Sequence, residues 1–326
     1  MEETRRACIW YHPNPEDGPE RWEEDIRTVR EAGIEKVLAY VLQHHRAFFP
    51  SRFARFVGVD VLGGLSEIAS RLGLELHATM VTMMNSSEEL MREHPDWYMV
   101  NREGTSITKQ APYVDYYRWL CPFREEVREY LRGLVEEMCG YPIAGVHLDY
   151  IRYPDAILPE GIRPRYGLEG VDYELPRYDY CYCEACRSAF LERTGMDPSK
   201  VCTPGQKALW DGFRYDGIRR VVAELAEVVH RCGKELSAAV FATPELSRKY
   251  VRQDWPNWPL DAAMPMVYQG HYDKPLVWIR EATREGLKEV GGKFPLYIGL
   301  YLRNIAPHEM GKAIRLVHEG GAEGVS

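Results

Sequence analysis

Short apolar runs alternate with amphipathic stretches along the whole chain. Residues 7–12, 36–42, 143–151, 235–242, 261–268 and 295–302 read as strands, and 74–84 contains another. Between them the pattern predicts helices over 22–32, 60–72 (Asp60 as N-cap), 124–139, 207–232, 275–290 and 307–319. The 124–139 stretch is strongly periodic, with apolar residues at Val127, Tyr130, Leu131, Leu134, Val135 and Met138. Residues 322–326 would open an eighth strand, where the sequence stops. Strands separated by helices pair in parallel through right-handed crossovers, and eight of them predict a closed (β/α)8 TIM barrel whose closing segment is short, missing or supplied by following residues, with the last helix expected to be absent. No glycine-rich fingerprint follows the first strand, which argues against an open dinucleotide-binding sheet. The expectation is one barrel domain over residues 1–326.

Two long insertions, about 85–121 and 152–204, follow the third and fourth strands. They lie at the carboxyl ends of strands, where barrels of this kind carry their sites, and loops of such length usually have a function. Composition narrows the partners. The 326 residues are 45% hydrophobic, enough for a large core, and the net charge of −8 comes with no basic block, which argues against nucleic acid. No apolar run approaches the roughly 18 residues of a membrane span. The N-terminal Met-Glu-Glu-Thr-Arg-Arg lacks a signal-peptide core, so the protein is expected in the cytoplasm unless a leader has been removed.

The chemistry concentrates in Gly145-Val146-His147-Leu148-Asp149-Tyr150-Ile151-Arg152-Tyr153-Pro154. Period-two alternation turns His147 and Asp149 into the barrel and Val146 and Leu148 toward the helices, with the carboxylate near the mouth. A charge there must be paired with Arg or Tyr groups or kept for chemistry; the plain alternative is that Arg152 holds it to fix the loop.

This run resembles the fourth-strand motif of the glycosyl-hydrolase-like 10 family of bacterial TIM barrels. His94-Pro95-Asp96-Trp97, Gln253-Asp254-Trp255-Pro256-Asn257-Trp258 and the segment from Asp261 to Tyr268 are similar to the same group. The resemblance implies a glycosidase-like barrel acting on a carbohydrate. Glycoside cleavage uses two carboxyl groups, about 5–5.5 Å apart in retaining and about 6.5–9.5 Å apart in inverting enzymes. Asp149 is one; Glu245 and Asp254 are equal candidates for the second, with Asp273 third. The seventh strand contains no carboxylate, which rules against an acid–nucleophile pair on strands four and seven.

Of eight cysteines, three fall in Cys181-Tyr-Cys183-Glu-Ala-Cys186, close enough in sequence to converge on a tetrahedral metal, with Cys121 or Cys202 as fourth ligand. The segment closely resembles the zinc-binding stretch of family 42 β-galactosidases, which also have an upstream Cys-Pro pair. That resemblance implies a structural Zn2+ held by Cys121, Cys181, Cys183 and Cys186. The present chain departs from that family at Leu148-Asp149, where an Asn-Glu pair would stand, so the zinc site carries over without the catalytic scheme. Cys8, Cys139 and Cys232 read as buried small hydrophobes.

Tyr11, His12, Tyr40, Arg152, Tyr268, Tyr301 and Arg303 fall at strand ends and are candidate sugar contacts, with His44, His45, Tyr153 and Asn304 beside them. Asn85-Ser-Ser is a formal glycosylation sequon. The expectation is a glycoside hydrolase. The competing classes are a non-catalytic carbohydrate-binding barrel and a metal-dependent hydrolase or deacetylase, against which His44-His45 lacks a His-x-His pattern.

Overall fold

The computed structural model describes residues 6–326, so the residues 1–5 read for a leader lie outside it. Eight parallel strands form the barrel: β1 (Arg6–Tyr11), β2 (Lys36–Gln43), β3 (Glu75–Val81), β4 (Gly145–Asp149), β5 (Glu235–Phe241), β6 (Ala262–Met266), β7 (Tyr297–Ile298) and β8 (Gly324–Val325). Neighbours in sequence are neighbours in space, and β8 pairs back onto β1. Single bridges, Ala263 to Leu296 and Met266 to Gly299, join β6 to β7 and complete the ring.

Helices pack outside: α1 (Pro19–Glu31), α2 (Val61–Leu72), α3 (Glu125–Cys139), α4 (Glu184–Thr194), α5 (Pro204–Arg231), α6 (Pro244–Val251), α7 (Trp278–Val290) and α8 (Met310–Gly320). Their starts are locally specified. Asp60 accepts from Gly63 N, and Thr203 with Gln206 forms a reciprocal capping box that starts α5 three residues before the periodicity suggests. None of the described helices is long and apolar enough to cross a membrane. The apolar core lies between strands and helices, and a smaller interior group, Cys8, Leu38, Ala262, Met264 and Tyr297 with Trp10, fills the barrel.

The two insertions are woven together over the mouth. Asn101 bridges to Tyr180, Tyr182 N donates to Val100 O at 2.7 Å, and Arg102 N donates to Asp179 O at 2.9 Å. Asp179 anchors the second insertion to the scaffold by accepting from Arg214 of α5 at 2.5 Å and from Tyr182 Oη at 2.7 Å. Cys232 departs from its expected role: it caps α5 and is exposed, whereas Cys8 and Cys139 are buried.

Candidate active site

Strand register stacks the inward residues in layers. Thr79, His147 and Ser237 are partners across β3, β4 and β5. Trp10 Nε1 donates to His147 Nε2 at 3.0 Å, and His147 Nδ1 meets Ser237 Oγ at 2.9 Å. An indole only donates, so Nε2 accepts and Nδ1 carries the proton. Burial, with His77 and Lys36 adding to it, holds this imidazole well below its ordinary range. His147 is therefore a neutral strut beneath the site.

One layer higher, Asp149 ends β4. Tyr40 Oη donates to its Oδ2 at 2.6 Å and Tyr150 N to its Oδ1 at 2.7 Å. Tyr150 adopts a positive φ of 51°, a conformation uncommon for a bulky residue and frequent where strain serves a site. It turns the chain sharply while aiming its N–H back at the carboxylate. Asp149 is 8% exposed. Burial raises its pKa; the hydrogen bonds from Tyr40 and Tyr150, then Arg152 and His12, oppose that shift without cancelling it. His12 stacks on Tyr40 with ring centroids 4.0 Å apart, and burial lowers its own pKa.

Arg152 does not hold Asp149 by a hydrogen bond. Its Nη1 donates to Asp155 Oδ2 and to Tyr153 O, both at 3.0 Å, and its Nη2 to Tyr117 Oη at 3.0 Å. Tyr117 Oη in turn donates to Asp155 Oδ2 at 3.1 Å. The guanidinium lies 4.9, 5.0 and 5.2 Å from the rings of Trp119, Phe241 and Tyr150. This buried ion pair in an aromatic box locks the first insertion to the second.

A cavity of about 980 Å³ opens over Asp149. Its wall contains His12, Tyr40, Arg152, Tyr268, Tyr301 and Arg303, all placed at the mouth by the sequence, together with Asp155, Tyr117 and His271. Tyr268, His271 and Tyr301 form an aromatic face with centroids 5.2–5.5 Å apart.

Four expectations are corrected. Tyr11 is not in the cavity wall: the alternation that turns Trp10 and His12 inward turns it outward, where its Oη donates to Asp25 at 3.0 Å. Glu245 is exposed in the first turn of α6, because Thr243 caps that helix immediately after β5. Asp254 is paired with Arg248 at 2.6 Å and accepts from Asn257 at 2.9 Å. Asp273 is exposed at the end of a short turn. None of these three carboxylates lines the cavity. The one that does, besides Asp149, is Asp155. Sequence reasoning missed it.

The supporting motifs act as scaffold. Gln253 is fully buried; its Oε1 accepts from Phe241 N at 2.8 Å and its Nε2 donates to Ile151 O at 3.2 Å, tying the ends of β5 and β4 together. Trp255 and Trp258 are core residues, and Trp97 stacks on His94 at 4.1 Å. His44 lines the cavity and takes a hydrogen bond from Ser86 N, whereas His45 pairs with Tyr130 Oη. Tyr153 is buried outside the cavity wall, and Asn304 is exposed. Asn85 is buried and donates to His44 O, which removes it as a glycosylation acceptor.

The sulfur atoms of Cys121, Cys181, Cys183 and Cys186 lie within 4.8 Å of one another, all buried, and Cys121 Sγ is 3.5 and 3.4 Å from those of Cys183 and Cys186. A tetrahedral zinc with Zn–S of about 2.3 Å has S···S edges of about 3.8 Å, so the four thiols fit such an ion. Cys202 is exposed and outside the cluster.

The structure is thus a (β/α)8 barrel with a buried carboxylate at the carboxyl end of β4, under an aromatic-walled cavity. The chain belongs to the glycosyl hydrolase-like 10 family, whose model matches residues 7–310. Its fold is similar to the glycoside hydrolase domain of PgaB (BpsB) from Bordetella bronchiseptica, at 14% identity, 98% of this chain, 92% of that one and a TM-score of 0.75. It is also similar to the catalytic domain of a β-amylase from Paenibacillus polymyxa, at 10% identity, 98% and 91% coverage and a TM-score of 0.66. A β-galactosidase from Marinomonas ef1 aligns at 17% identity and a TM-score of 0.63, over 98% of this chain and 53% of that one. No curated protein matches by sequence.

Proposed function

We propose that the protein is a glycoside hydrolase in which Asp149 is the proton donor to the leaving oxygen. The observation that carries this reading is the position and state of Asp149: a carboxyl group at the cavity floor whose burial holds on to its proton. A carboxyl with a raised pKa is what general-acid cleavage of a glycoside needs. Asp155, paired with Arg152, is its partner, and its Oδ2 accepts from both Arg152 and Tyr117. The aromatic face of Tyr268, His271 and Tyr301 supports sugar stacking, and Arg303 supplies donors to hydroxyls.

A carbohydrate-binding barrel without turnover is the second reading, favoured by the lock of Asp155 onto Arg152. A glycan-library screen of wild type beside Asp149→Asn separates the two. Hydrolysis lost in a folded Asp149→Asn supports catalysis; glycan binding with no turnover in wild type supports the second reading.

The thiol cluster fits a structural Zn2+ tying the insertions together. Four sulfur ligands close the coordination shell, so the metal would not activate water. Metal analysis should find zinc held by the four thiolates, and its removal should lower the melting temperature.

A further inference from the structure

The amino-terminal floor of the barrel carries a second polar cluster that the proposed reaction does not use. Lys36, Glu75, His77 and Glu235 come from the first inward positions of β2, β3 and β5. His77 is fully buried, and neither of its ring nitrogens has a hydrogen-bond partner. Its Nε2 lies 4.0 Å from Glu75 Oε2 and 3.9 Å from Glu235 Oε2, too far for hydrogen bonds yet convergent on one point. The ring is wedged there: a Cβ on Gly145 would fall 2.5 Å from Nδ1, so β4 must begin with glycine to admit it. A cavity of about 240 Å³ leads from solvent to both carboxylates.

We propose that this floor is a binding site for a divalent transition-metal ion, held by His77 Nε2 and one oxygen each of Glu75 and Glu235. The nitrogen and the two oxygens lie within 4.8 Å of one another. Metal–N and metal–O bonds of about 2.0–2.2 Å place ligand atoms about 3–4 Å apart, so a small inward movement closes the set. One imidazole with two carboxylates suits zinc, iron or manganese rather than calcium, which takes oxygens alone. Water from the cavity completes the coordination. Lys36 sets the affinity, since its Nζ lies 3.2 and 3.0 Å from the same two oxygens and competes for them. An ion at this end, opposite the cleft, clamps β3 to β5 and serves stability, not chemistry.

The test is Co2+ titration of the full chain, reading visible absorption, calorimetry and thermal melting in wild type, Lys36→Met and Glu235→Gln. Wild type should bind one ion without the sulfur-to-metal charge-transfer band of a thiolate site, and its melting temperature should rise. Lys36→Met should bind at least roughly tenfold tighter, and Glu235→Gln at least roughly tenfold weaker. Binding in wild type confined to the thiolate band overturns the proposal. So does non-thiolate binding only in Lys36→Met, which would make the ammonium the resident cation. Glu235→Gln binding as tightly as wild type overturns it as well.

Discussion

The mouth and the floor of the barrel both turn carboxylates toward the axis and treat them oppositely. At the floor, His77 and then Lys36 hold the Glu75 carboxyl down to about 2, against the effect of burial. At the mouth, the two groups that hydrogen-bond Asp149 are neutral, the Tyr40 hydroxyl and the Tyr150 amide. The nearby guanidinium of Arg152 is engaged by Asp155 instead, and burial prevails, raising the Asp149 pKa. The two carboxyls differ in exposure and in partners: Glu75 is 59% exposed and faces His77 and Lys36, whereas Asp149 is 8% exposed and is bonded by neutral groups. A carboxyl left with neutral donors in a buried place has its pKa raised, the direction a proton donor requires.

Asp149→Asn breaks this contrast most directly. Turnover should fall by roughly 10³-fold, the range of a lost general acid. Stability should move the other way. Because the folded pKa lies above the unfolded one, the native state binds more protons between the two values, and stability declines as pH rises through that window. The neutral variant should therefore be more stable near neutral pH, by about 1 kcal/mol, with the gain vanishing below the unfolded value of about 3.9. Thermal melts across that range check the sign. Next in size is Arg152→Met, which strands Asp155 in a buried site and should cost about 3 kcal/mol in urea unfolding. A loss no larger than that of a surface ion pair would show that Asp155 does not depend on Arg152.

The barrel was legible because alternation of apolar strands and amphipathic helices is enforced by burial at every step, and Asp149 because period two carries direction as well as position. Direction was lost where the chain left a strand. Glu245 stands four residues past Phe241, but the Thr243 cap starts a helix there and carries the side chain to solvent. Tyr11 was misplaced because it was set beside His12 at the mouth, although adjacent strand positions face opposite sides. Asp155 escaped because it lies beyond Pro154, where no periodicity operates and only a three-dimensional ion pair gives it meaning. Spacing alone did not separate Cys121 from Cys202; proximity in the folded insertions does.

Two gentler changes sharpen the contrast. Tyr40→Phe removes a neutral donor that favours the Asp149 carboxylate, so the pKa should climb further. If Asp149 gives a proton, activity disappears as pH rises through that value, and the limb should move to higher pH by about one unit, the effect of one hydrogen bond to a charged group. An unmoved alkaline limb with a shifted acidic one would instead assign Asp149 as base or nucleophile. Glu75→Gln is the smallest change. A lowered folded pKa contributes stability above the unfolded value, and that contribution is lost as pH falls toward about 2. The side chain is 59% exposed, so solvent screening limits the effect to at most about 1 kcal/mol. In metal-free buffer the variant should melt almost as wild type does near neutrality, yet lose less stability on acidification below about pH 4.3. An identical acid slope in the two proteins would mean that Lys36 is satisfied by Glu235 alone and that the floor's charge balance does not require Glu75.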